Sequence, residues 1–480
     1  MRSDERFVLG LYLVTVLAVF ILMMLLGLAM RMAQGTWLDV APDLFYRIMT
    51  AHGAGMIGTT TLAASAVMWF FLRKYVPLRL PFFVANYVLF LLGAVAILSS
   101  VFVGGYAGAW TFLYPLPVHS MGLWSVNAAV LFMLGYLLIG VGFLLFYLDA
   151  MRALIATYGS LGRALGLQWL FGGRIDTSHP VAVVASTMVA ITNTLGILAG
   201  AVVLVLCIVN AYLPSIPLDA LLVKNLIYFF GHTFINAAIY MAVIAVYELL
   251  PRYTGRPWPL SRATLWGWAT SSVMVLIVYP HHLMMDFVMP HWMLTMGQIV
   301  SYSAGLPVFV VTAYGALTNV YRSGIRWTMP AALVVLSMFG WAAGIVPAIV
   351  DGTIRVNQVM HNTQWVPGHF HFYLLAGVLP MVFALMFHLA GERSLRSRLD
   401  GIGFFAYTAG TLVFVMAFLA AGQASVARRF AVHLPEWTPY DKAGSIAAIV
   451  IVSAMLVFAV RIVSALMRRP VVVVVPYAAR

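Results

Sequence analysis

Residues 361–390 read HNTQWVPGHFHFYLLAGVLPMVFALMFHLA. The stretch contains no Asp, Glu, Lys or Arg, and it exceeds the roughly 20 apolar residues that a helix needs to cross a bilayer. It nevertheless carries His369 and His371 at membrane depth. Ionisable side chains are costly in that environment, so each is a functional-site candidate by default. The stretch therefore predicts a membrane-spanning helix that carries part of a functional site.

The composition of the whole chain agrees with a membrane protein. Of the 480 residues, 63% are hydrophobic and 9% are charged, whereas a soluble domain carries about 25% charged residues. A soluble enzyme is therefore excluded, and the 30 Phe, 13 Trp and 22 Tyr exclude a disordered chain. Cys207 is the single cysteine, which excludes a disulfide framework, a CxxCH heme attachment and a paired-cysteine metal site within this chain.

Twelve apolar stretches in all are long enough to cross a bilayer. Because lipid offers no water to unpaired backbone groups, each should be an α-helix. No long linker separates them, and the first is too long for a cleaved signal, so we expect one all-α integral membrane domain over residues 1–480. The predicted spans are 7–31, 45–72, 82–104, 120–148, 179–212, 221–250, 263–283, 294–321, 327–350, 362–390, 402–424 and 441–466.

The basic residues are concentrated in alternate loops. When both termini are counted with one set of loops, 20 of the 27 Lys and Arg residues lie on that side and 7 lie on the other. Short cytoplasmic loops carry an excess of such residues. Both termini are therefore predicted to be cytoplasmic, and the net charge of +13 indicates topology rather than a nucleic-acid partner.

Six histidines fall inside or at the ends of the predicted spans, and on this topology all six lie in the outer half of the bilayer. Neutral imidazole binds copper, iron or zinc, so six such side chains from four helices suggest a common plane of metals. For any single histidine, a hydrogen bond to a carbonyl of a neighbouring helix stays open as the alternative. The six are His52, His232, His281, His282, His369 and His371.

Spacing adds detail to this prediction. His369 and His371 point ~200° apart on a helix, so they can serve groups on opposite sides of it. His281 and His282 follow Pro280, which interrupts the helix and lets adjacent rings converge on one metal. Five other histidines look like loop or interfacial residues, and we assign them no ligand role: His119, His179, His291, His388 and His433.

Three motifs together resemble subunit I of the heme–copper oxygen reductases, most closely the ba3-like, or B-type, branch. They are Gly231-His232, Pro280-His281-His282 and the run from His361 to His371. The resemblance covers most of the chain, from His52 to Arg429. It implies a helical bundle with a six-coordinate low-spin heme, a five-coordinate high-spin heme and a non-heme metal, which is copper in the oxidases.

The resemblance also implies ligands for each group. His52 and His371 would be the axial ligands of the low-spin heme, and His369 would be the proximal ligand of the high-spin heme. The ligands of the non-heme metal would be His232, His281 and His282.

A further set of residues would belong to the heme propionates. Arg428 and Arg429 resemble the arginine pair that binds them, with interfacial snorkelling as the alternative. His361 would join the same cluster. The oxidase pattern has an acid four residues before this histidine, and here that position is Asn357, which should change how the propionates are protonated.

The active-site tyrosine of the oxidases is missing. Oxygen-reducing relatives carry it four residues after the histidine equivalent to His232, and another branch carries it six residues before the His-His pair. These positions are Asn236 and Val275 here. Asn236 shares a helix face with His232, but an amide cannot supply an electron and a proton as a phenol can. Tyr240 and Tyr279 stay open as unprecedented substitutes.

Coupling two NO to N2O needs two electrons, which two metals can provide without a protein radical. The sequence therefore resembles a nitric-oxide-reductase variant of the family, of the kind used in denitrification. Glu248 and Glu392 lie in or beside spans, both near cytoplasmic ends and away from the histidines, so copper is favoured over carboxylate-stabilised iron. Two alternatives stay open: a cytochrome c oxidase-type terminal oxidase that reduces O2, and a transporter with incidental histidines.

The proton supply gives a weaker signal. Oxidases of this branch have hydroxyl groups at positions that are Val308 and Val311 here, and Tyr247 is either a remnant of their tyrosine ladder or an interfacial aromatic. A route through Thr312 or Ser303, or uptake from the outer face, stays open. We expect weak proton pumping or none.

Electrons must reach the site from outside this chain, because it has no cysteine pair for a binuclear copper and no covalent heme motif. We expect a membrane-anchored subunit II with a periplasmic cupredoxin-like domain, fed by a soluble cytochrome c or copper protein. The expected location is the bacterial inner membrane, where the chain would be multi-pass. The sequence does not distinguish heme a from heme b.

Overall fold

A computed structural model describes residues 1–286, 288–391, 395 and 397–468. Twelve helical segments in this part of the chain are long and apolar enough to cross a membrane, and the described residues form no strand, only an isolated bridge between Thr363 and Ala427. The prediction of an all-α fold with twelve spans is therefore confirmed. The α-helices are α1 Ser3–Gln34, α2 Pro42–Leu72, α3 Leu80–Phe102, α4 Val126–Tyr158, α5 Leu161–Ala164, α6 Val181–Tyr212, α7 Ala220–Thr254, α8 Arg262–Ile277, α9 His291–Ser303, α10 Leu306–Val320, α11 Met329–Asp351, α12 Ile354–Met360, α13 Trp365–His371, α14 Leu379–Leu389, α15 Arg398–Gln423 and α16 Thr438–Arg468.

The fourth span differs most from its predicted bounds of 120–148. It begins at Val126, because the Ser125 side chain accepts from the Ala128 amide and caps the helix there. It continues to Tyr158 and ends at Gly159, which has a positive φ of 82°. Hydropathy alone placed the apolar loop before Ser125 inside the span and the polar last turns of the helix outside it.

Three spans are not continuous α-helices. A 3-10 turn, Tyr279–Leu283, follows α8 where Pro280 interrupts the ladder. The eighth span is divided into α9 and α10, and Pro307 lies in the first turn of α10. In the tenth span, a π-helix over Phe372–Val378 joins α13 to α14. Such π-helical turns are frequent at functional sites.

The spans that carry most of the candidate histidines lie at the centre of the bundle. In the most apolar windows of Pro42–Leu72, Ala220–Thr254 and Trp365–Leu389, 94%, 78% and 94% of the residues are buried. These are the helices of His52, His232, His369 and His371. Because neighbouring helices surround them, their polar side chains face protein rather than lipid.

Candidate heme and metal centre

The first candidate site is a pair of histidines between α2 and α13. The His52 and His371 rings lie 6.4 Å apart between centroids and are nearly parallel, at 22°. His52 Nδ1 donates to the Met23 carbonyl at 2.7 Å, and His371 Nδ1 donates to the Pro367 carbonyl at 2.7 Å. These bonds fix the tautomer and leave both Nε2 atoms available as ligands. The donor set fits a six-coordinate heme.

Glycine allows α1 to come close to this pair. A Cβ on Gly27 would lie 2.7 Å from His52 Cε1. That is too short for two carbon atoms, so a side chain at this position would displace the ring. Gly27 therefore lets α1 pack against the histidine while Met23, one turn earlier, accepts its Nδ1 proton.

A second candidate site joins α7 to the 3-10 turn. Ligand nitrogens of three partly buried histidines lie within 4.8 Å of one another. The ring of His232 lies 4.9 Å from that of His281 and 5.4 Å from that of His282, between centroids. His281 Nε2 and His282 Nε2 are 3.0 Å apart, so the irregular turn does bring adjacent rings together. Three neutral imidazoles suit copper, and no carboxylate of the described residues belongs to this group.

His369 lies on the other side of α13 from His371. Its Nδ1 is buried and has no hydrogen-bond partner among the described residues, and its ring meets the edge of Tyr373 at 6.1 Å between centroids. The spacing of two residues thus directs the His371 ring to the pair and the His369 ring away from it.

Two side chains flank His232 on α7, one turn away on either side. The Asn236 amide donates to the His232 carbonyl at 2.9 Å and lies 3.0 Å from His232 Nδ1. Tyr228 stacks on His282, with 5.4 Å between ring centroids and 21° between ring planes. Sequence analysis missed Tyr228, although its position four residues before His232 puts it on the same face.

The structure does not bring the other two candidate tyrosines into ring contact with the three histidines. The Tyr279 hydroxyl donates to Asn225 Oδ1 at 3.0 Å, and Tyr240 packs edge-on against Trp268 at 5.4 Å between centroids. Within the described part of the chain, Tyr228 is the tyrosine whose ring stacks on this group. It therefore joins Tyr240 and Tyr279 as a phenol to test.

Polar residues gather at the end of the bundle that carries the histidines. Arg428 donates to Asn362 Oδ1 at 3.3 Å, and Arg429 donates to Thr111 Oγ1 at 3.4 Å. Burial and the neighbouring Arg429 lower the pKa of Arg428 to about 10. Two adjacent guanidiniums without a carboxylate partner among the described residues fit anionic groups such as propionates.

His361 belongs to the same end. Asn357 Nδ2 lies 3.2 Å from His361 Nδ1, and Asp351 Oδ2 lies 3.6 Å from the same nitrogen. Sequence analysis missed Asp351, the last residue of α11. The only available signal was an acid at the end of an apolar run, which is equally typical of an ordinary helix terminus.

Two histidines first interpreted as loop or interfacial residues have buried partners. His433 Nδ1 donates to Asp441 Oδ2 at 2.6 Å, and the other oxygen of Asp441 pairs with Arg31 at 2.7 Å. His388 lies in the last turn of α14, at the end of the tenth span, and its Nδ1 lies 2.8 Å from the Tyr253 hydroxyl.

The half of the bundle that contains the termini carries the candidate proton groups. Tyr247 is buried and its hydroxyl lies 2.6 Å from Thr312 Oγ1, which is inconsistent with an interfacial aromatic. Glu248 pairs with Lys74 at 2.9 Å and is not grouped with the three histidines. Glu392 lies outside the described residues.

An apolar cavity of about 80 Å³ lies between α2, α4 and α7. It reaches Gly231 and Ile235, which precede His232 and Asn236 in the chain. Its polar lining is small, so it suits an uncharged guest better than an ion. Other lining residues include Ile57, Gly58, Ile139, Gly140, Phe230 and Phe234.

Comparison with known proteins identifies the family. The family described as cytochrome c and quinol oxidase polypeptide I matches residues 7–466. The chain belongs to this family. It is the heme–copper oxidase subunit I family, whose members are oxidoreductases that bind hemes and a copper centre and pair with a subunit II.

Individual relatives are distant. Cytochrome c oxidase polypeptide 1 of Halobacterium salinarum is 22% identical over 438 residues, which cover 86% of this chain and 69% of the relative. Heme-copper oxidase subunit I+III of Aeropyrum pernix is 22% identical over 480 residues, and the chain spans only 56% of that protein. Cytochrome c oxidase subunit 1 of Thermostichus vulcanus is 25% identical, with 94% of this chain and 82% of the relative covered.

A solved structure supports the same fold. The cryo-EM structure of a heme-copper terminal oxidase dimer superposes with a TM-score of 0.77 at 19% identity, and the match covers 97% of this chain and 84% of that chain. At this identity the match shows the arrangement of helices alone.

Proposed function

We propose that this chain is the catalytic subunit of a respiratory nitric-oxide reductase of the B-type branch, which converts two NO, two electrons and two protons to N2O and water. The observation that carries the proposal is the Asn236 amide, 3.0 Å from His232 Nδ1. It occupies the place beside the three histidines where oxygen reduction relies on a phenol. An amide donates a hydrogen bond but supplies no electron.

The proposal assigns cofactors to the two histidine sites. His52 and His371 would hold a low-spin heme, and His369 would hold a high-spin heme. When bound, these hemes and a copper ion supply the two electrons of the coupling reaction. The three-imidazole donor set favours copper over iron, because no carboxylate of the described residues joins it. The copper ligands would be His232, His281 and His282.

The protein side chains orient and polarise the substrate. Asn236 bonds to the carbonyl of His232, so its amide group is held facing the ring and can donate to an NO oxygen beside it. A preorganised donor of this kind stabilises negative charge that develops on oxygen. The apolar cavity along α7 would admit NO, which is small and uncharged.

Electrons would enter through partner proteins. We propose a membrane-anchored subunit II with a periplasmic cupredoxin-like domain, fed by a soluble cytochrome c or copper protein, in a bacterial inner membrane. Arg428 and Arg429 would bind propionates of the hemes. Their guanidiniums lie at the histidine-bearing end, where the predicted topology puts the periplasm.

The first test is anaerobic N2O formation from NO by the purified complex, with oxygen consumption measured on the same sample. The proposal predicts rapid N2O formation and slow oxygen uptake. Fast oxygen uptake with little N2O would refute it, because the tyrosine would then be dispensable for oxygen reduction.

Substitution of Asn236 tests the residue that carries the argument. Asn236→Tyr restores a phenol at this position, and we expect the ratio of oxygen uptake to N2O formation to rise about tenfold or more. Asn236→Leu is the matched control, because it removes the amide without adding a phenol. If both variants change the ratio equally, the phenol is not what separates the two activities.

A terminal oxidase is the second candidate, and two observations favour it. The relatives above carry oxidase names, and Tyr228 places a phenol ring on His282. Tyr228→Phe keeps the ring and removes the hydroxyl. An oxidase that uses this phenol would lose oxygen uptake in that variant, whereas a nitric-oxide reductase would keep N2O formation.

A further inference from the structure

The carboxylate of Asp351 lies at the histidine-bearing end of the bundle, as do His361 and Arg428. Among the described residues, no Lys or Arg forms an ion pair with it. The residue is 8% exposed, Oδ2 lies 3.6 Å from His361 Nδ1, and Oδ1 has no hydrogen-bond partner among the described residues. Burial of an unpaired carboxylate oxygen costs free energy. A role for the charge would explain why an acid occupies this position.

Asn357 connects Asp351 to His361. Its side-chain amide donates to the Asp351 backbone carbonyl at 2.7 Å and lies 3.2 Å from His361 Nδ1. These contacts hold the short helix α12 against the end of α11. The acid that the oxidase pattern carries at position 357 is replaced here, and the Asp351 carboxylate approaches the same ring nitrogen from six residues earlier in the chain.

The surroundings of this carboxylate are cationic or neutral. The Arg428 guanidinium at the same end of the bundle donates to Asn362 rather than to this carboxylate. Two other acids at this end have close cationic partners: Asp286 pairs with Lys224 at 2.8 Å, and Asp441 pairs with Arg31 at 2.7 Å. Asp351 differs from both, because it approaches the His361 ring at 3.6 Å and one of its carboxylate oxygens has no hydrogen-bond partner among the described residues.

We propose that Asp351 is a positioning residue that replaces the acid missing at position 357: it orients His361 and places a negative charge beside the heme that His369 would hold. A nearby negative charge favours the oxidised form of a redox centre, so Asp351 would lower the midpoint potential of that heme. The proposal rests on the assignment of His369 under Proposed function, and it does not depend on whether the substrate is NO or O2.

Spectroelectrochemical titration of the purified complex without substrate tests this proposal. Asp351→Asn removes the charge and preserves the shape, so the midpoint potential of the high-spin heme should rise while that of the low-spin heme stays constant. Asp43→Asn is the matched control. It removes one negative charge from the same end of the bundle, but its side chain is 65% exposed and pairs with Arg47 in solvent.

A double variant makes the test specific. In Asp351→Asn with Asn357→Asp, the carboxylate returns to α12 on the same ring nitrogen, and the potential should move back towards the wild-type value. An unchanged high-spin potential in Asp351→Asn overturns the proposal, as does an equal shift of both hemes. If Asp351→Asn alone fails to retain hemes, the double variant decides: a wild-type potential supports the proposal and a raised one overturns it.

Measurements on the wild-type complex distinguish failure of the proposed function from failure of the Asp351 proposal. Wild-type complex that lacks two spectrally distinct hemes refutes the ligand assignment before any variant is made. Wild-type complex that contains both hemes but forms no N2O refutes nitric-oxide reduction and leaves the Asp351 measurement intact.

Discussion

The paired histidines and the three-histidine group are built differently. Each ring of the pair is fixed through Nδ1 by a backbone carbonyl, from Met23 and Pro367. In the three-histidine group the rings contact each other instead, and the closest approach is the 3.0 Å between His281 and His282. The protein alone therefore orients the pair, whereas a bound cation is expected to contribute much of the order of the group.

Further ring contacts and a buried ion pair surround the pair. The His371 ring stacks on the Phe418 ring, with 5.2 Å between centroids and 9° between ring planes. The Arg31 guanidinium lies over the same Phe418 ring, 4.4 Å from its centroid. Arg31 in turn pairs with Asp441, which accepts from His433. Such contacts suit the electron-transfer role proposed for the pair, which needs little movement of its ligands. The three-histidine group, where we propose that the substrate binds, has the apolar cavity beside it.

The largest expected effect is loss of the low-spin heme. His52→Ala or His371→Ala removes one axial ligand of the pair, so we expect the six-coordinate absorption band to disappear while the high-spin band remains. Absorption spectra and total heme content of the purified complex measure this. His291→Ala, in a histidine without an assigned ligand role, is the control and should keep both bands. Retention of the six-coordinate band would contradict the assignment.

The three-histidine group should respond in the opposite way. His282→Asn should remove the non-heme metal and abolish turnover, while both hemes stay bound, because they depend on ligands from other helices. Metal analysis combined with heme spectra separates the two effects. Loss of a heme in this variant would show that the two regions are not independent.

The ion pair beside the low-spin site should contribute mainly to stability. Asp441→Asn leaves Arg31 buried without a counter-charge, and the side chains are only 4% and 0% exposed. Breaking a buried pair in this way costs about 3–5 kcal/mol of unfolding free energy. Asp43→Asn breaks an exposed pair and should cost less than about 1 kcal/mol. Equal thermal stability of the two variants in detergent would contradict this comparison.

Hydropathy predicted the number of membrane spans better than it predicted where each span begins and ends. Hydropathy predicted twelve spans because each must cover the thickness of a bilayer, and it failed at α4, where a capping serine and not hydrophobicity determines the start. The depth and spacing of the histidines predicted that they would converge. The orientation of both termini and a single domain over 1–480 stay predictions.

The residues that sequence analysis missed depend on three-dimensional contacts. Tyr228 stacks on a histidine from another element, and Asp351 reaches His361 only because α12 folds back on the end of α11. Neither contact follows from hydropathy or from helix periodicity. The sequence therefore showed that the acid of the oxidase pattern is missing at position 357. It did not show that Asp351 lies close enough to His361 to take its place.

The smallest expected effect concerns the buried pair of hydroxyls in the half that contains the termini. Tyr247→Phe removes the hydrogen bond to Thr312. We expect N2O formation to stay close to the wild-type rate, because the pair would not carry the substrate protons and the lost hydrogen bond contributes to stability instead, by roughly 0.5–1.5 kcal/mol. Thr312→Val should behave in the same way. Turnover in sealed vesicles with a pH indicator measures both the rate and the proton-to-electron ratio. A fall of more than about tenfold in the rate of N2O formation, or net outward proton pumping by the wild type, would contradict this expectation. Either result would show that protons reach the site through the half that contains the termini.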